Sequence, residues 1–327
     1  MSPFSTAASN PGDSFVRGVT VAMQETDEPA LGKLSTVFAC PVCGAAMFVA
    51  QRTNMQLLCA STHAFDVSRA GHVNLLLTNQ RRSSRPGYSK EMLQSRRALA
   101  QLGLFDPLLQ LVARLVVGEV ASRPLLTPPV LLDAGCGEGY FLSRLLSSVN
   151  SRGGLAVQGV GVDISKEAMQ LASKLDRTVV WCVMNTARRL PLVTGAFSVV
   201  MNVLAPMNLH EFRRILEPSG VLIKVVPQQG HLEELRDRLY ERPPKRTDDP
   251  VRKTIAHLSS AFRVIQEHRL RWTCCVAPGS VHDLVMMNPL FWKAKRTRLE
   301  ALQHEGLSAI TMDLHVLLAK PEAPCQA

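Results

Sequence analysis

The chain has 327 residues and a formal net charge of +10, from 37 Lys and Arg against 27 Asp and Glu. At roughly 100 to 200 residues per domain, this length allows one large domain and a smaller one. Hydrophobic residues make up 46% of the chain and charged residues 20%, which excludes a wholly disordered protein. The positive charge favours polyanionic partners, namely RNA, DNA or an anionic membrane surface.

The N-terminal segment 1–36 is rich in Ser, Ala, Asn, Pro and Asp without an apolar period, which predicts a disordered tail. It has no continuous apolar run of the kind found in a secretion signal, and its acidic residues are atypical of a transit peptide. The chain also has no run of about 18 apolar residues, so neither a transmembrane helix nor a membrane partner is expected. These features predict a cytoplasmic protein.

Residues 37–80 contain a cluster of metal-ligand residue types. Cys40 and Cys43 are separated by two residues, fifteen residues follow, and Cys59 and His63 are separated by three. Two such pairs on separate turns can converge tetrahedrally on one zinc ion. Because the protein would fill all four positions, the sequence predicts a structural Zn²⁺ and not a catalytic one. The alternative is a set of ordinary buried thiols with a surface histidine.

Residues 81–125 show helical spacing and are predicted to form a helical connector. From residue 126 to 327, short apolar runs alternate with helical segments, which predicts an α/β domain with a parallel sheet. The predicted strands are Val130–Leu132, Val157–Val162, Val179–Val183, Ser198–Met201 and Val221–Val226. The predicted helices between them are Tyr140–Ser148, Lys166–Leu175 and Leu209–Leu216. Beyond residue 240 the pattern predicts a helix between two further apolar runs, Phe262–Ile265 and Leu314–Leu318.

The first predicted strand leads into Asp133 and a glycine-rich turn, followed at once by a helix. Glycine lets the backbone turn sharply and approach a ligand closely. A dinucleotide-binding loop would have its last glycine at Tyr140, so that pattern fails. The pattern Asp-x-Gly-x-Gly-x-Gly instead favours S-adenosylmethionine, which has a cationic amino-acid end to hold and no pyrophosphate. Its glycines are Gly135, Gly137 and Gly139.

Two polar residues at the ends of later strands support a nucleoside ligand. Asp163 follows Gly139 by twenty-four residues, and a carboxylate there can accept hydrogen bonds from both ribose hydroxyls. This feature occurs in both classes of nucleotide cofactor and does not choose between them. Asn185, after the third predicted strand, is a candidate contact to the adenine edge.

The zinc and glycine motifs resemble those of the bacterial 23S ribosomal RNA guanine-N1 methyltransferases, the family that includes the tylosin-resistance enzymes. The likeness extends from about Phe38 to the C-terminal region. Some segments are closer to the branch typified by Gram-positive enzymes. The segments that carry the resemblance are Phe38–Cys43, His63–Asp66, Gly71–Leu75, Asp133–Phe141, Leu204–Pro206, Glu211–Leu216, Leu222–Pro227 and Met287–Pro289.

This resemblance implies a Rossmann-like class I methyltransferase with a small N-terminal zinc-ribbon-like module. It implies methyl transfer from S-adenosylmethionine to N1 of a guanine in the loop of hairpin 35 of 23S ribosomal RNA, with an effect on macrolide susceptibility. The zinc module would then recognise RNA. A homodimer is left open.

The resemblance also assigns site residues that pattern alone would place in the core or at the surface. The implied further cofactor contacts are Phe105, Phe141, Leu142 and His231. The implied pocket for the target base is Leu204, Ala205 and Pro206. Phe105 stands where a Tyr is usual, and Leu204 where an aromatic residue is usual. The sequence identifies no residue as the base that removes the guanine N1 proton.

Basic residues outnumber acidic ones around the zinc module, which favours a phosphate-binding surface over the alternative of a solvated charged face. They are Arg52, Arg69, Arg81, Arg82, Arg85, Lys90, Arg96 and Arg97. A second basic patch consists of Lys245, Arg246, Arg252 and Lys253.

Two other functions remain open at the level of sequence. One is a small-molecule methyltransferase, because fold alone does not choose a substrate. The other is a zinc-containing RNA-binding protein whose cofactor pocket no longer works. The zinc module and the basic segment favour an RNA substrate.

Overall fold

The computed structural model describes residues 30–51, 54–80, 88–123, 127–241, 249–288, 291 and 294–322. Within these ranges an eight-stranded mixed sheet forms the centre of the molecule, and a three-stranded antiparallel sheet lies in the N-terminal part. Hydrophobic cores occupy both faces of the larger sheet. This is the layered arrangement that alternating apolar and helical segments predict.

The N-terminal part is built from short elements. They are α1 (Ala30–Leu34), β1 (Met47–Gln51), β2 (Met55–Cys59), β3 (Ala64–Asp66) and β4 (Val73–Asn74). The small sheet has the order β1-β2-β3. β4 instead joins the edge of the larger sheet, where Val73 pairs in parallel with Cys182. The predicted zinc module therefore contributes a strand to the sheet of the α/β part.

The rest of the chain alternates strands and helices. The connecting helices are α2 (Lys90–Gln101) and α3 (Asp106–Ala121). The elements that follow are β5 (Val130–Ala134), α4 (Tyr140–Gly153), β6 (Gln158–Asp163), α5 (Lys166–Leu175), β7 (Val180–Val183), β8 (Phe197–Val203), α6 (Leu209–Ile215), β9 (Leu216–Pro227), α7 (Glu233–Leu239), α8 (Pro250–Leu258), β10 (Phe262–Cys275), α9 (Val281–Met286), α10 (Arg296–Glu305) and β11 (Ala309–Pro321).

The strand order of the larger sheet is β10-β11-β9-β8-β5-β6-β7-β4. The neighbours from β4 to β9 run parallel, whereas β11 is antiparallel to both β9 and β10. The chain adds β6 and β7 on one side of β5 and then crosses over to add β8 and β9 on the other. Such a reversal opens a crevice at the carboxyl ends of the strands, where open α/β sheets bind ligands.

Alternate residues of the central strands point into two different cores. Leu131 packs with residues of α3 and α4, and Leu132 packs on the opposite face with Phe38 of the zinc module. All three side chains are fully buried. Because both faces are covered, the central strands are almost uniformly apolar, as is usual for parallel strands.

The helix starts follow local rules that can be read from the sequence. The Ser165 side chain accepts a hydrogen bond from the Ala168 backbone at the start of α5, whose bounds match the prediction. Pro107 lies in the first turn of α3, where its missing N–H costs nothing. In the described ranges, no helix combines the length and the apolar composition needed to cross a membrane.

The expectation that segment 1–36 lacks structure is wrong for residues 30–36. These residues form α1 and a short 3₁₀ turn, while residues 1–29 lie outside the described ranges. Leu31 and Leu34 are buried in the same core as Leu132. Two apolar residues in one short turn leave no visible period, so only the tertiary packing explains this helix.

The last two strands are much longer than the short apolar runs predicted from the sequence. β10 and β11 pair antiparallel over almost their whole length. Residues of β10 alternate between exposed and half-buried, and its outward positions are filled with polar side chains. That alternation is typical of an antiparallel strand with one solvated face, and a search for continuous apolar runs does not detect it.

A buried and an exposed leucine should respond differently to truncation. Leu145 in α4 is fully buried, whereas Leu102 is 69% exposed. Leu145→Ala should lower the free energy of unfolding by about 2 to 5 kcal/mol, because it leaves a cavity between α4 and the sheet. Leu102→Ala should change it by no more than about 0.5 kcal/mol. Urea denaturation of both variants measures the difference, and equal effects would contradict the assigned packing.

Candidate active site and zinc centre

The four predicted metal ligands converge at one point of the structure. The Sγ atoms of Cys43 and Cys59 are 3.7 Å apart, and His63 Nδ1 lies 3.4 Å from Cys59 Sγ and 3.6 Å from Cys40 Sγ. All four ligand atoms lie within 4.8 Å of one another. A tetrahedral zinc ion with its usual bond lengths separates sulfur and nitrogen ligands by about 3.5 to 3.8 Å. The side chains therefore fit Zn²⁺.

Backbone hydrogen bonds hold the first ligand pair in a tight turn. The Gly44 amide donates to the Cys40 carbonyl at 2.8 Å, and the Cys40 amide donates to the Ala45 carbonyl at 2.8 Å. Gly44 has a φ of +77°, a conformation that suits glycine. A hydrogen bond from the backbone of Ala45 is the largest cause that lowers the pKa of Cys43 to about 6. The lower pKa favours the thiolate, which is the form that binds metal.

The glycine-rich turn lies at the carboxyl end of β5, beside the crossover in the sheet. Gly135 and Gly137 have φ angles of +91° and +58°, where residues with a side chain are strained. A Cβ on Gly135 would lie 2.6 Å from the Cβ of Ala205. At Gly137 the nearest side-chain atom would be an Arg96 nitrogen at 3.6 Å. Gly135 is thus required for packing, whereas Gly137 faces a cavity.

The carboxylate of Asp163 ties the end of β6 to the glycine-rich turn. Its two oxygens accept backbone hydrogen bonds from Gly137 at 3.1 Å and from Ser165 at 2.9 Å. Burial is the largest influence on this group and raises its pKa. A carboxylate has about four lone-pair positions, so both oxygens can accept further bonds. This is the chemistry that the ribose hydroxyls of a nucleoside require.

A buried carboxyl, that of Asp133, lies beside the glycine-rich turn. It is 2% exposed, and its Oδ1 atom has no hydrogen-bond partner among the described residues. Burial, reinforced by the nearby Asp163 and Glu138 carboxylates, raises the pKa of Asp133 to about 8. Buried polar atoms are normally paired, so this oxygen needs a donor. The ammonium group of S-adenosylmethionine supplies a donor and a compensating charge.

Two adjoining cavities lie between the glycine-rich turn, β8, β9 and α2. The smaller, of about 60 Å³, is lined by Asp133, Gly137 and Phe141 among others. The larger, of about 330 Å³, is lined by Ala205 and His231 among others. Three residues line both cavities, namely Arg96, Phe105 and Leu204. A cofactor at the glycine-rich turn would therefore face a space large enough for a flat base.

Most of the predicted cofactor and base contacts line these cavities, but five of them line neither one, namely Gly139, Leu142, Asp163, Asn185 and Pro206. Leu142 is fully buried in the core with α3. Asn185 donates from Nδ2 to the Gln80 carbonyl at 3.0 Å and accepts from the Ala187 amide at 3.0 Å. Its side chain holds a turn beyond β7. All of the expected contacts with the cofactor and the base, including those of Leu142 and Asn185, stay predictions.

Three site residues were not recognised from the sequence as part of the pocket. Asn202 and Lys224 face each other on β8 and β9, where Lys224 Nζ donates to Asn202 Oδ1 at 2.6 Å. Arg96 was assigned to the RNA-binding surface, but its guanidinium lies 5.1 Å from the Tyr88 ring centroid and borders both cavities. Its charge is available to the carboxylate of a cofactor.

The expected RNA-binding surface is only partly within the described ranges. Arg69, Lys90, Arg252 and Lys253 are exposed. Arg97 instead donates to the Glu138 carbonyl at 3.1 Å and supports the glycine-rich turn. The remaining basic residues of both patches lie outside the described ranges, namely Arg52, Arg81, Arg82, Arg85, Lys245 and Arg246.

Together these features define the class of the protein. Counted from β5, the seventh strand is β11. It lies antiparallel between the fifth strand, β9, and the sixth, β10. A glycine-rich turn follows the first of these strands and an acidic residue ends the second. This is a class I S-adenosylmethionine-dependent methyltransferase with a zinc-ribbon module, so the predicted fold class and both cofactors are confirmed.

Comparisons with known proteins narrow the class to a family. The family model described as "RlmA, N-terminal" matches residues 38–84, and the one described as "Methyltransferase domain" matches residues 131–220. A Bacillus subtilis protein named as a 23S rRNA (guanine-N(1)-)-methyltransferase is 34% identical over 86% of this chain and 96% of its own length. The 23S rRNA (guanine(748)-N(1))-methyltransferase of Streptomyces fradiae is 31% identical, with 86% and 96% covered. The chain belongs to the 23S rRNA (guanine-N1)-methyltransferase family.

The zinc centre can be tested with one ligand and one matched cysteine. Cys43→Ser should abolish binding of one zinc ion per chain, because serine does not supply the thiolate. Cys275→Ser should keep the zinc, since Cys275 is exposed and lies outside the cluster. Elemental analysis of the purified variants measures the metal. Full zinc content in Cys43→Ser would show that the ligand set is wrong.

The raised pKa of Asp133 predicts a pH-dependent cofactor affinity. The free protein holds a proton on Asp133 below about pH 8, whereas an ammonium ligand requires the carboxylate. Binding therefore releases a proton, and the Kd of S-adenosylmethionine should fall by up to about tenfold per pH unit between pH 6 and 7.5. Calorimetry on Asp133→Asn should show weaker binding with a smaller pH dependence.

Methylthioadenosine is the matched control ligand, because it lacks the amino-acid end. Its affinity should depend little on pH in both proteins. An equal pH dependence for the two ligands would show that Asp133 does not receive the ammonium group.

Proposed function

We propose that this protein transfers a methyl group from S-adenosylmethionine to N1 of a guanine in the loop of hairpin 35 of 23S ribosomal RNA. The observation that carries the proposal is the likeness to the Streptomyces fradiae enzyme, which covers 86% of the chain. That share is larger than either the zinc module or the methyltransferase domain. The likeness therefore includes both the zinc module and the methyltransferase domain, which supports the same substrate for this protein.

The cavities support a target base that leaves the RNA stack. Enzymes that modify a base take it out of the stack, and sequence-specific RNA recognition favours splayed loop bases. The larger cavity, of about 330 Å³, is bordered by Leu204 and Ala205 and adjoins the glycine-rich turn. In this proposal the guanine enters it between Phe105 and Leu204. Pro206 follows on the same loop and helps to shape its edge.

The cofactor is held by residues of the smaller cavity and its rim in this proposal. Asp133 receives the ammonium group, Arg96 the carboxylate and Asp163 the ribose hydroxyls. The side chains of Phe105, Phe141 and His231 border the cavities. In this proposal they pack against the remaining parts of the cofactor. When bound, the cofactor supplies an electrophilic methyl group on a sulfonium centre. The protein contributes mainly by holding the guanine N1 in line with that methyl group.

The zinc module holds the RNA backbone in this proposal. Arg69 lies on its surface and Lys90 begins α2, and exposed cations of this kind bind phosphates without reading sequence. The substrate places the protein with ribosomes in the cytoplasm. The homodimer stays a prediction. Native mass spectrometry of the purified protein measures its oligomeric state.

The proposed reaction predicts a single methyl group at a defined position. Ribosomal RNA from a strain lacking the gene should lack one guanine-N1 methyl group in hairpin 35, and purified protein should restore it. Mass mapping of the RNA locates the group, and macrolide susceptibility of the two strains measures its consequence. A methyl group elsewhere in the RNA would correct the target. Transfer to a small molecule alone would support the other methyltransferase class.

Gly137→Arg should abolish this methylation, because the new side chain enters the cofactor cavity from a backbone with positive φ. Gly118→Arg is the matched control, since Gly118 lies exposed on α3 with no atom near its Cβ position. Melting temperatures show whether both variants fold. Normal activity of Gly137→Arg would show that the cofactor binds elsewhere, and an inactive wild type with bound RNA would support the RNA-binding alternative.

A further inference from the structure

Guanine N1 carries a proton that must leave before the nitrogen can accept a methyl group. A lysine amine lies buried in the cavity proposed for the base. Lys224 is 5% exposed and lines the larger cavity together with Leu204 and Ala205. Lysine is almost never fully buried unless it is paired. In the described part of the chain, no carboxylate forms an ion pair with Lys224, so its position needs another explanation.

Lys224 makes two hydrogen bonds, which is the number that a neutral amine can donate. Nζ donates to Asn202 Oδ1 at 2.6 Å and to the Ala205 carbonyl oxygen at 2.7 Å. A neutral amine has two N–H donors and one lone pair. Both donors are therefore used by oxygens that cannot give a proton, and the lone pair remains. Ala205 lies on the loop that borders the larger cavity, so this hydrogen bond places the amine at the cavity proposed for the base.

We propose that Lys224 is the general base of the methyl transfer and that its neutral amine accepts the N1 proton of the guanine. This inference rests on the function proposed above. In the step, the proton passes from N1 to Lys224 Nζ as the N1 lone pair forms a bond to the methyl carbon. The carbon–sulfur bond breaks and its electron pair stays on sulfur. The ammonium group of Lys224 afterwards returns its proton to water.

Burial lowers the pKa of Lys224 to about 8, so a sizeable fraction of the amine is neutral near physiological pH. A general base works best when its pKa lies close to the working pH. Burial is the only cause of this shift. The titratable groups across the cavity are Tyr88, Arg96 and His231. The titratable groups on the helices packed over the sheet face of Lys224 are His210, Glu211, Arg213, Arg214, Arg252, Lys253 and His257.

The other candidates in the cavity are less suitable as a base. His231 Nδ1 accepts a hydrogen bond from the Asp313 amide at 3.4 Å, so in the neutral ring Nε2 carries the proton and donates. Arg96 is an arginine, and a guanidinium group has donors but no acceptor for a proton. Tyr88 lies against Arg96, which favours its role as a stacking surface. Lys224 alone combines a lone pair with a position beside the base loop.

Lys224→Arg separates the proposed chemistry from a structural role. Arginine keeps the positive charge and the donors for Asn202 and Ala205, but it cannot accept a proton. Single-turnover transfer to ribosomal RNA at pH 7.5 should fall by about 100- to 10,000-fold. Lys174→Met is the matched control, because Lys174 is exposed on α5, and it should react like the wild type. Melting temperature and cofactor Kd serve as folding measurements for each variant.

The pH profile of the wild type needs no variant. At S-adenosylmethionine concentrations that saturate the protein at every pH, its single-turnover rate should rise tenfold per pH unit below about pH 8 and level off above it. Lys224→Arg should have no such plateau, since only guanine that has lost its proton to solvent can then react. A lysine ¹⁵N NMR signal that titrates near pH 8 and is absent from Lys224→Met would identify the amine without relying on activity.

Three results would overturn the inference. They are wild-type transfer rates in Lys224→Arg, a wild-type profile without an inflection near pH 8, and a Lys224 amine that stays protonated above pH 9. Failure of the wild type to methylate 23S ribosomal RNA would instead overturn the proposed function, and the role of Lys224 with it. Product mapping on the wild type therefore distinguishes the two failures.

Discussion

The active site depends on a buried amide that joins three parallel strands at their carboxyl ends. Asn202 Nδ2 donates to the Ala134 carbonyl at 2.7 Å and to the Pro206 carbonyl at 3.1 Å, and its Oδ1 accepts from Lys224. One side chain thus connects the end of β5, the loop after β8 and the middle of β9. Because Asn202 is fully buried, breaking any of these bonds would leave a polar group unsatisfied. The amide therefore sets the distance between the glycine-rich turn and the larger cavity.

The electrostatics around this amide prepare the site for a ligand of mixed charge. Asp133, Glu138 and Asp163 are all buried, and burial raises the pKa of each carboxyl. Arg96 opposes the shift in all three, and Arg97 opposes it in Glu138, but the pKa of each carboxyl remains raised. S-adenosylmethionine carries an ammonium and a sulfonium group, and both favour ionised acids nearby. Three buried carboxyls with raised pKa values in one place are typical of a functional site.

The zinc module and the methyltransferase domain behave as one packed unit, although their motifs are separate in the sequence. Phe38 and Leu57 of the module are fully buried in the same core as Leu132 and Val160 of the sheet. His72 reinforces the contact through hydrogen bonds to Ser68 and Ser173. Zinc supplies much of the folding energy of a small module, so loss of the metal would also expose apolar surface of the sheet. The module thereby fixes the position of its exposed Arg69 relative to the sheet.

The features that could be predicted from the sequence are encoded by residues close together in the chain. The features that were missed depend on residues far apart in the chain. The cysteine spacing, the glycine-rich turn and Asp163 at a strand end follow from short-range rules, and the structure brings the four metal ligands together and joins Asp163 to the glycine-rich turn. Lys224 and Asn202 lie twenty-two residues apart, and only the pairing of β8 with β9 brings them together. A signal was nevertheless present, because Lys224 interrupts the apolar run Val221–Val226 of a strand that is buried on both faces. A buried charge is costly unless it is paired and hydrogen-bonded, and an unpaired buried group shifts its pKa towards the neutral form. A lone lysine in such a strand is therefore a stronger pointer to chemistry than the more numerous arginines of the surface.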